Sequence, residues 1–421
     1  MKAITLAKSF IALSAFSLML SSCSKDIAEQ TSQEPATSAV TPFSNEGDII
    51  PNEYIVMVKN EAVAPAISYL DGPINDRATK SRLMKEHALT VKNELNAILI
   101  EAGINTTQVM NYYTAVAPGF GIKLSEEDFA KLSKSDKIDV IEHNRVEKLP
   151  EFTVESKSAS GARAQTTPCG ITRAGGFANA STSRWIWIVD TGIDLDHPDL
   201  NVQTSYSASF VGGSANDCNG HGTHVAGTAA AINNSIGVVG VAAGAPVVAV
   251  RVFGCSGGTS TNTILSGLNH VASNDLAGDV VNLSLGGYYG TSGCATNSPY
   301  RNTLRAMGQA NTRIAIAAGN SNDNANYYSP ACINETNVRT VASMTCSRGW
   351  SSFSNYGRGP CDYIATGSSV YSTYLNGGYA TLSGTSMATP HVAGIMQVRN
   401  ALPRTSGSVS NRGVSYPIAV R

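Results

Sequence analysis

Trp185-Ile186-Trp187-Ile188-Val189-Asp190 is a run of five apolar residues that stops at a carboxylate. A strand with one face in water alternates apolar and polar residues. A strand apolar at every position is covered on both faces, as in a parallel sheet between helices. VVAVRVF (247–253), VVNLSL (280–285) and RIAIAAG (313–319) have the same character, and Gly-rich turns and helical stretches separate them. That alternation predicts an α/β fold, a doubly wound, mostly parallel sheet, over 168–421. Ligands of such sheets gather beyond the carboxyl ends of the strands. Asp190, closing the first run, stands at such an end.

Two other segments have the composition of a reactive site. One is Asn219-Gly220-His221-Gly222-Thr223-His224-Val225-Ala226-Gly227. The other is Gly384-Thr385-Ser386-Met387-Ala388-Thr389-Pro390-His391. A serine hydroxyl becomes a useful nucleophile when a base takes its proton and a carboxylate fixes the tautomer of that base. Ser386, His221 and Asp190 supply those three roles. Ser386 lies where Gly and Thr give way to an apolar helical run, so it is expected at a helix N-terminus, with Pro390 in the first turn. His221 and His224 do not form a zinc pair, because no Glu stands in an H-E-x-x-H pattern. His224, His391 and His197 read as structural, and Asp194 as support for the turn after the strand. The order Asp, His, Ser also excludes an α/β-hydrolase esterase, which runs Ser, Asp/Glu, His around G-x-S-x-G.

VDTGID (189–194), NGHGTHVAGT (219–228) and SGTSMATPHVAG (383–394) together resemble the three signatures of the subtilase family, closest to its proteinase K-like branch, from about Thr167 to Asn400. The resemblance implies a serine endopeptidase that acts on protein or peptide substrates through an acyl-enzyme and needs no cofactor for catalysis. It gives Asn320, in Ala317-Ala318-Gly319-Asn320, the role of oxyanion-hole donor. It makes Ser284, Leu285 and Gly286 a wall of the S1 pocket. Gly258, within Cys255–Thr259, falls on the edge strand that pairs with extended substrate. The glycine-walled pocket suggests broad tolerance, with a preference for apolar or aromatic side chains. Relatives also imply a Cys218–Cys255 bridge and a Cys332–Cys361 pair, with Cys346 competing; Cys169 and Cys294 stay unassigned. A structural calcium is implied at Asp362, with carbonyls of Pro330 and Cys332. A catalytically inactive, lipid-tethered binding protein on the same scaffold is the alternative reading.

Upstream, 53–149 reads as a small α/β domain. EYIVMVK (53–59) is a strand. Residues 79–101 carry Leu83, Leu89, Val91, Leu95, Ile98 and Leu99 at helical spacing, ended by Gly103. Residues 108–124 read as a hairpin broken at Pro118-Gly119, Ser125 caps a helix, and KIDVIEH (137–143) is a closing strand. The order β-α-β-β-α-β is ferredoxin-like. By resemblance this domain is the family's inhibitory propeptide. Residues 150–167 form a polar processing linker. Ala164-Gln165-Thr166 resemble mature N-termini of the family, which places the cut between about Ser158 and Ala164.

The first residues read as an export signal (1–22). Lys2 and Lys8 precede Ser9–Leu20, 12 residues of apolar character, where a membrane span needs about 20. Leu20-Ser21-Ser22-Cys23 resembles the lipobox of bacterial lipoproteins, so Cys23 is the expected lipidation site, with 23–52 a flexible tether. The precursor is then anchored to the cell envelope and the mature enzyme released. Only 35 residues follow Ser386, and no final helix is expected among them. Net charge is −1 with no basic run, which argues against nucleic acid as a partner. Hydrophobic residues at 42% and charged residues at 14% suit a packed globular chain. Of the eight cysteines, the seven beyond Cys23 lie between Cys169 and Cys361, an odd number that leaves at least one unpaired.

Overall fold

The computed structural model describes residues 47–64, 74–158, 164–290 and 294–421. The export signal, Cys23 and most of the tether lie outside the described residues.

In the larger domain Ile186–Asp190 lies inside the sheet, between Pro246–Arg251 on one side and Val280–Leu283 on the other. Arg313–Ala317, Val338–Met344, Cys361–Thr366 and Val414–Val420 follow outward from Val280–Leu283, all parallel. The chain lays strands to one side of its first strand and then to the other, so the strand order reverses at Ile186–Asp190. Side loops part at such a point and leave a crevice at the carboxyl ends.

The apolar run 185–190 is explained by two different covers. Ile186 and Ile188 pack with Val225, Ala226 and Ala229 of helix His221–Ala230 and with Met387, Ala388 and Val392 of helix Thr385–Arg399. Trp187 and Val189 pack with Ile264, Leu265 and Leu268 of helix Thr261–Asn274 and with Leu304 and Met307 of helix Pro299–Gln309. Truncating such a residue to Ala costs about 2–5 kcal/mol. After the Ser386 helix the chain forms a hairpin, Arg404–Asn411 with Val414–Val420, which extends the sheet where the sequence suggested only a short tail.

The small domain has strands Ile49–Val58, Val109–Tyr113, Gly119–Lys123 and Ile138–Lys148, with helices Arg77–Glu101 and Glu126–Leu132. The antiparallel order is 138–148, 49–58, 119–123, 109–113, the ferredoxin-like arrangement. Ser125 caps the second helix by accepting from Asp128 N at 3.1 Å. On the long helix, Val91, Leu95, Ile98 and Leu99 pack with Val56, Val58, Phe120 and Ile122. Leu89, expected on that face, is 66% exposed. Met84 instead turns outward to the larger domain, as do Ile55 and Met57 from the other face of the sheet. The domain therefore has a core of its own and a second apolar face that closes on its neighbour.

Polar contacts complete that seam. Arg77 is bonded to Asp279 at 2.7 Å, with 7% and 0% of their side chains exposed, and its guanidinium lies 3.7 Å over the Trp185 ring. Lys80 meets Asp275 at 2.5 Å. Glu147, buried at the end of the last strand, accepts from Thr261 Oγ1 at 3.0 Å and from the Tyr289 hydroxyl.

The closing strand runs past its expected end at 143 because its last residues have a partner. Lys148, Glu147 and Val146 pair antiparallel with Gly258, Thr259 and Ser260. The linker is not wholly irregular either. Thr153–Ser158 pairs antiparallel with Gly378–Ser383, a strand edge that needed a partner for its N–H and C=O groups.

Candidate active site

Asp190 is the last residue of its strand and is fully buried. Its Oδ1 accepts from Thr191 N and from His221 Nδ1, both at 2.7 Å. His221 opens a helix whose N-terminal turn is held by Asp217, which accepts from Asn219 N, Gly220 N, Thr223 N and Thr223 Oγ1. Gly220 sits at φ 100, and a Cβ there would stand 2.3 Å from the Tyr374 ring. A Cβ on Gly222 would stand 2.1 Å from Gly192 O, so its absence lets the histidine helix close on the aspartate strand. With Nδ1 donating to Asp190, the Nε2 atom is left bare; it is buried and has no hydrogen-bond partner among the described residues. An imidazole held this way can accept a proton at Nε2.

Ser386 is the second residue of helix Thr385–Arg399 and is fully buried. Its Oγ donates to Ser284 O at 3.4 Å rather than to the imidazole. Pro390 is not in the first turn, as the sequence suggested, but at the sixth helical position. A proline there has no N–H for the carbonyl four residues back, which belongs to Ser386. Ser284 Oγ donates to that carbonyl at 2.8 Å, and Asn282 Nδ2 donates to Ser284 Oγ at 2.9 Å. Ser284 directly follows the strand Val280–Leu283, and Leu285 behind it is fully buried. Gly286 follows at φ 150, where a Cβ would stand 3.1 Å from Ser329 O.

Asn320 lies past the end of Arg313–Ala317. Its Oδ1 accepts from Thr385 N at 2.8 Å and from Thr385 Oγ1 at 2.7 Å, which fixes the amide orientation. Its Nδ2 then donates to the carbonyl oxygen of Glu151 at 2.6 Å. The Phe152 ring lies 4.9 Å from the His221 imidazole. Leu149 N donates to Gly257 O at 2.9 Å, and Gly258 pairs with Lys148. A main-chain segment of the molecule thus crosses the site in extended form, with its carbonyl on an amide donor and beside a histidine.

Three other histidines hold main-chain groups. His224 Nε2 donates to Val370 O at 2.9 Å, and burial pushes its pKa down to about 3. His391 Nδ1 donates to Met387 O, and burial takes it down to about 4. His197 Nε2 donates to Gly378 O at 3.0 Å. Asp194 accepts from Gly377 N. Asp217 and Thr385 were missed by sequence reading. An Asp four residues before the histidine and a Thr just before the serine were the only signals.

Cys218 and Cys255 are bridged, with Cα atoms 5.1 Å apart. The Cys332–Cys361 pairing is not formed. Cys332 is bridged to Cys294, and Cys169 to Cys346. Cys361 is a free thiol, buried among Met344, Ile364 and Tyr416 while Cys332 faces a different core, and burial pushes its pKa up to about 12. The calcium reading fits these residues poorly. Pro330 O already accepts from Ile333 N, and Asp362 accepts from Thr340 N at 2.8 Å while Arg339 faces it at 3.7 Å.

Residues 184–410 match the subtilase family. The chain is similar to an extracellular serine proteinase of Thermus sp. (strain Rt41A), 33% identical over 389 residues, covering 90% of this chain and 86% of that one. It is similar to the M-protease of Shouchella clausii (strain KSM-K16), 37% identical over 344 residues, 76% and 82% of the two chains. Subtilisin Savinase of Lederbergia lenta is 41% identical over 273 residues, 59% of this chain and 94% of its own.

Proposed function

The chain belongs to the subtilase family and is a serine endopeptidase, and from that premise we propose that Asp190, His221 and Ser386 are its catalytic residues and Asn320 its oxyanion donor. The observation that carries the assignment is the 2.7 Å bond from His221 Nδ1 to Asp190, which leaves the buried Nε2 without a partner among the described residues. Ser386 Oγ attacks the substrate carbonyl carbon as His221 Nε2 takes its proton. The carbonyl electron pair moves onto oxygen, which Asn320 Nδ2 and the Ser386 N–H receive. Collapse breaks the C–N bond, and His221 returns the proton to the leaving amine. Water then opens the acyl-enzyme by the same path. The Asn320 donor is worth about 2.7–4 kcal/mol to that transition state. Subtilases need no catalytic cofactor.

Substrate backbone docks as an added strand on the edge that carries Gly258, with Ser284, Leu285 and Gly286 beside the side chain before the scissile bond. The domain 53–149 is the enzyme's own inhibitory propeptide, and the pairing of its last strand with Gly258–Ser260, with Glu151 just beyond it on Asn320, supports this. The precursor is exported and tethered through a lipid on Cys23, cuts itself, and releases the catalytic domain outside the cell.

A fluorophosphonate probe tests the catalytic assignment. Mature protein should be labelled on Ser386, and Ser386→Ala should lose both label and peptidase activity. A folded, propeptide-free protein that takes no label is instead a binding protein on this scaffold.

A further inference from the structure

The window read from the sequence puts maturation between Ser158 and Ala164. The bond that actually lies on the site is elsewhere. We propose that maturation opens at the Glu151–Phe152 peptide bond and leaves an intermediate, 152–421, in which Thr153–Ser158 still covers the leaving-group side of the site. The proposal rests on the function given above and names a substrate bond within this chain.

Four observations converge on that bond. The Glu151 carbonyl oxygen receives Asn320 Nδ2 at 2.6 Å, the contact an oxyanion donor makes with the carbonyl under attack. The next residue, Phe152, packs its ring 4.9 Å from the imidazole that would protonate its nitrogen. Before the bond, the chain is laddered to Gly258–Ser260, with Leu149 N on Gly257 O. Beyond it, Thr153–Ser158 is laddered to Gly378–Ser383, and Glu155 accepts from Ser369 Oγ at 3.0 Å and from Ser383 Oγ. An extended segment held on both sides of one peptide bond is a bound substrate, and holding it in cis removes the entropic cost of encounter.

Residues at the far end of the linker are committed to another place. Ala164 bridges to Ile236 and Thr166 to Val238, Thr166 N donates to Gly237 O at 2.8 Å, and Gln165 Nε2 donates to Ile232 O at 2.9 Å. A bond at Ala164 reaches Ser386 only after those contacts and the Thr153–Ser158 ladder are undone. The Glu151 side chain is exposed, so the ladders rather than the S1 pocket select this bond.

The step balances as ordinary acyl transfer. Ser386 Oγ bonds to the Glu151 carbonyl carbon and its proton passes to His221 Nε2. The bond to Phe152 nitrogen breaks, and that nitrogen leaves with the proton. Water hydrolyses the ester to the Glu151 carboxylate. The new amine at Phe152 begins a strand that stays paired with Gly378–Ser383 until a second cut, in the window read from the sequence, removes it.

The test is a time course of the full chain by intact mass and N-terminal sequencing. The first products should be a propeptide ending at Glu151 and a chain beginning at Phe152, with the chain beginning between Ser158 and Ala164 appearing later. Phe152→Pro should abolish the first pair of products. The first-cut rate should not change on dilution. First products beginning between Ser158 and Ala164, with Phe152 never an N-terminus, overturn the proposal while fluorophosphonate labelling of the same sample leaves the enzyme reading intact. Failure of the wild-type chain both to cut and to label overturns the two together.

Discussion

Asn320 can serve an oxyanion only because its amide faces the right way, and Thr385 decides that through two bonds to Oδ1. Asn320→Ala should lower kcat by about 10²–10³ with little change in KM, measured on a small peptide substrate; a rise in KM alone counts against the role. The peptide of Ser386, the proposed nucleophile, depends on a neighbour. Ser284→Ala leaves the Ser386 carbonyl without its donor, a loss of about 1–3 kcal/mol. Pro390→Ala adds an N–H that can take over, so Ser284→Ala should cost less in that background. A double-mutant cycle on kcat/KM and on urea midpoints reads the difference, and strictly additive costs would remove the argument. Asp190, His221 and Ser386, the proposed triad, stand out in the sequence because nucleophile, base and carboxylate must be those residue types, set among glycines. Asp217 and Thr385 were not, because each works by bonding backbone or an amide, and many aspartates and threonines in this chain could do that. Pro390 was placed one turn too early because nothing in the sequence reveals that a distant serine hydroxyl covers the missing N–H.

The strand Gly258–Ser260 is anchored by the bridge from Cys255 to Cys218, which ties it to the loop before the histidine helix. Closing a loop of 37 residues is worth roughly 3–4 kcal/mol on the chain-entropy account. Replacing both cysteines by alanine should lower the unfolding free energy by about that amount; a change under about 1 kcal/mol would mean the denatured chain is not constrained there. Cys361, buried with its pKa pushed up to about 12, should resist iodoacetamide at pH 8 in folded protein. Unfolding without reductant should expose one labelled peptide from the mature chain, containing Cys361. Label on Cys346 or Cys294 would contradict the pairing. The long helix was legible from its periodicity and the buried strands from their unbroken apolar runs, and Leu89 was misplaced because its helix has two buried faces. The strand Thr153–Ser158 was not legible. All its residues but Val154 are polar, and the edge it pairs with lies more than two hundred residues further along the chain.

The two domains were readable apart, from composition and from the β-α-β-β-α-β order, but their seam was not, since Arg77 and Asp279 carry no spacing that links them. Asp279 also accepts from Trp185 N and Trp187 Nε1 at 2.9 Å, so removing Arg77 does not strand the carboxylate. The expected loss for Arg77→Ala is therefore about 1–3 kcal/mol, below that for a buried ion left alone. It should speed release of the proposed propeptide, once cleaved, by about ten- to a hundredfold, seen as a shorter lag before peptidase activity; an unchanged lag would assign the hold to Glu147 and the ladder instead. The place of that arginine gives the molecule an optical signal of its own state. Trp185 and Trp187 are two of three tryptophans, and the guanidinium lies 3.7 Å from one ring and 5.7 Å from the other. On the proposed maturation, departure of the 53–149 domain lets water replace that cover over Trp185 while Trp187 remains buried. Intrinsic emission should then move to longer wavelength in step with the appearance of activity, with no dye and no chromogenic substrate in the cuvette.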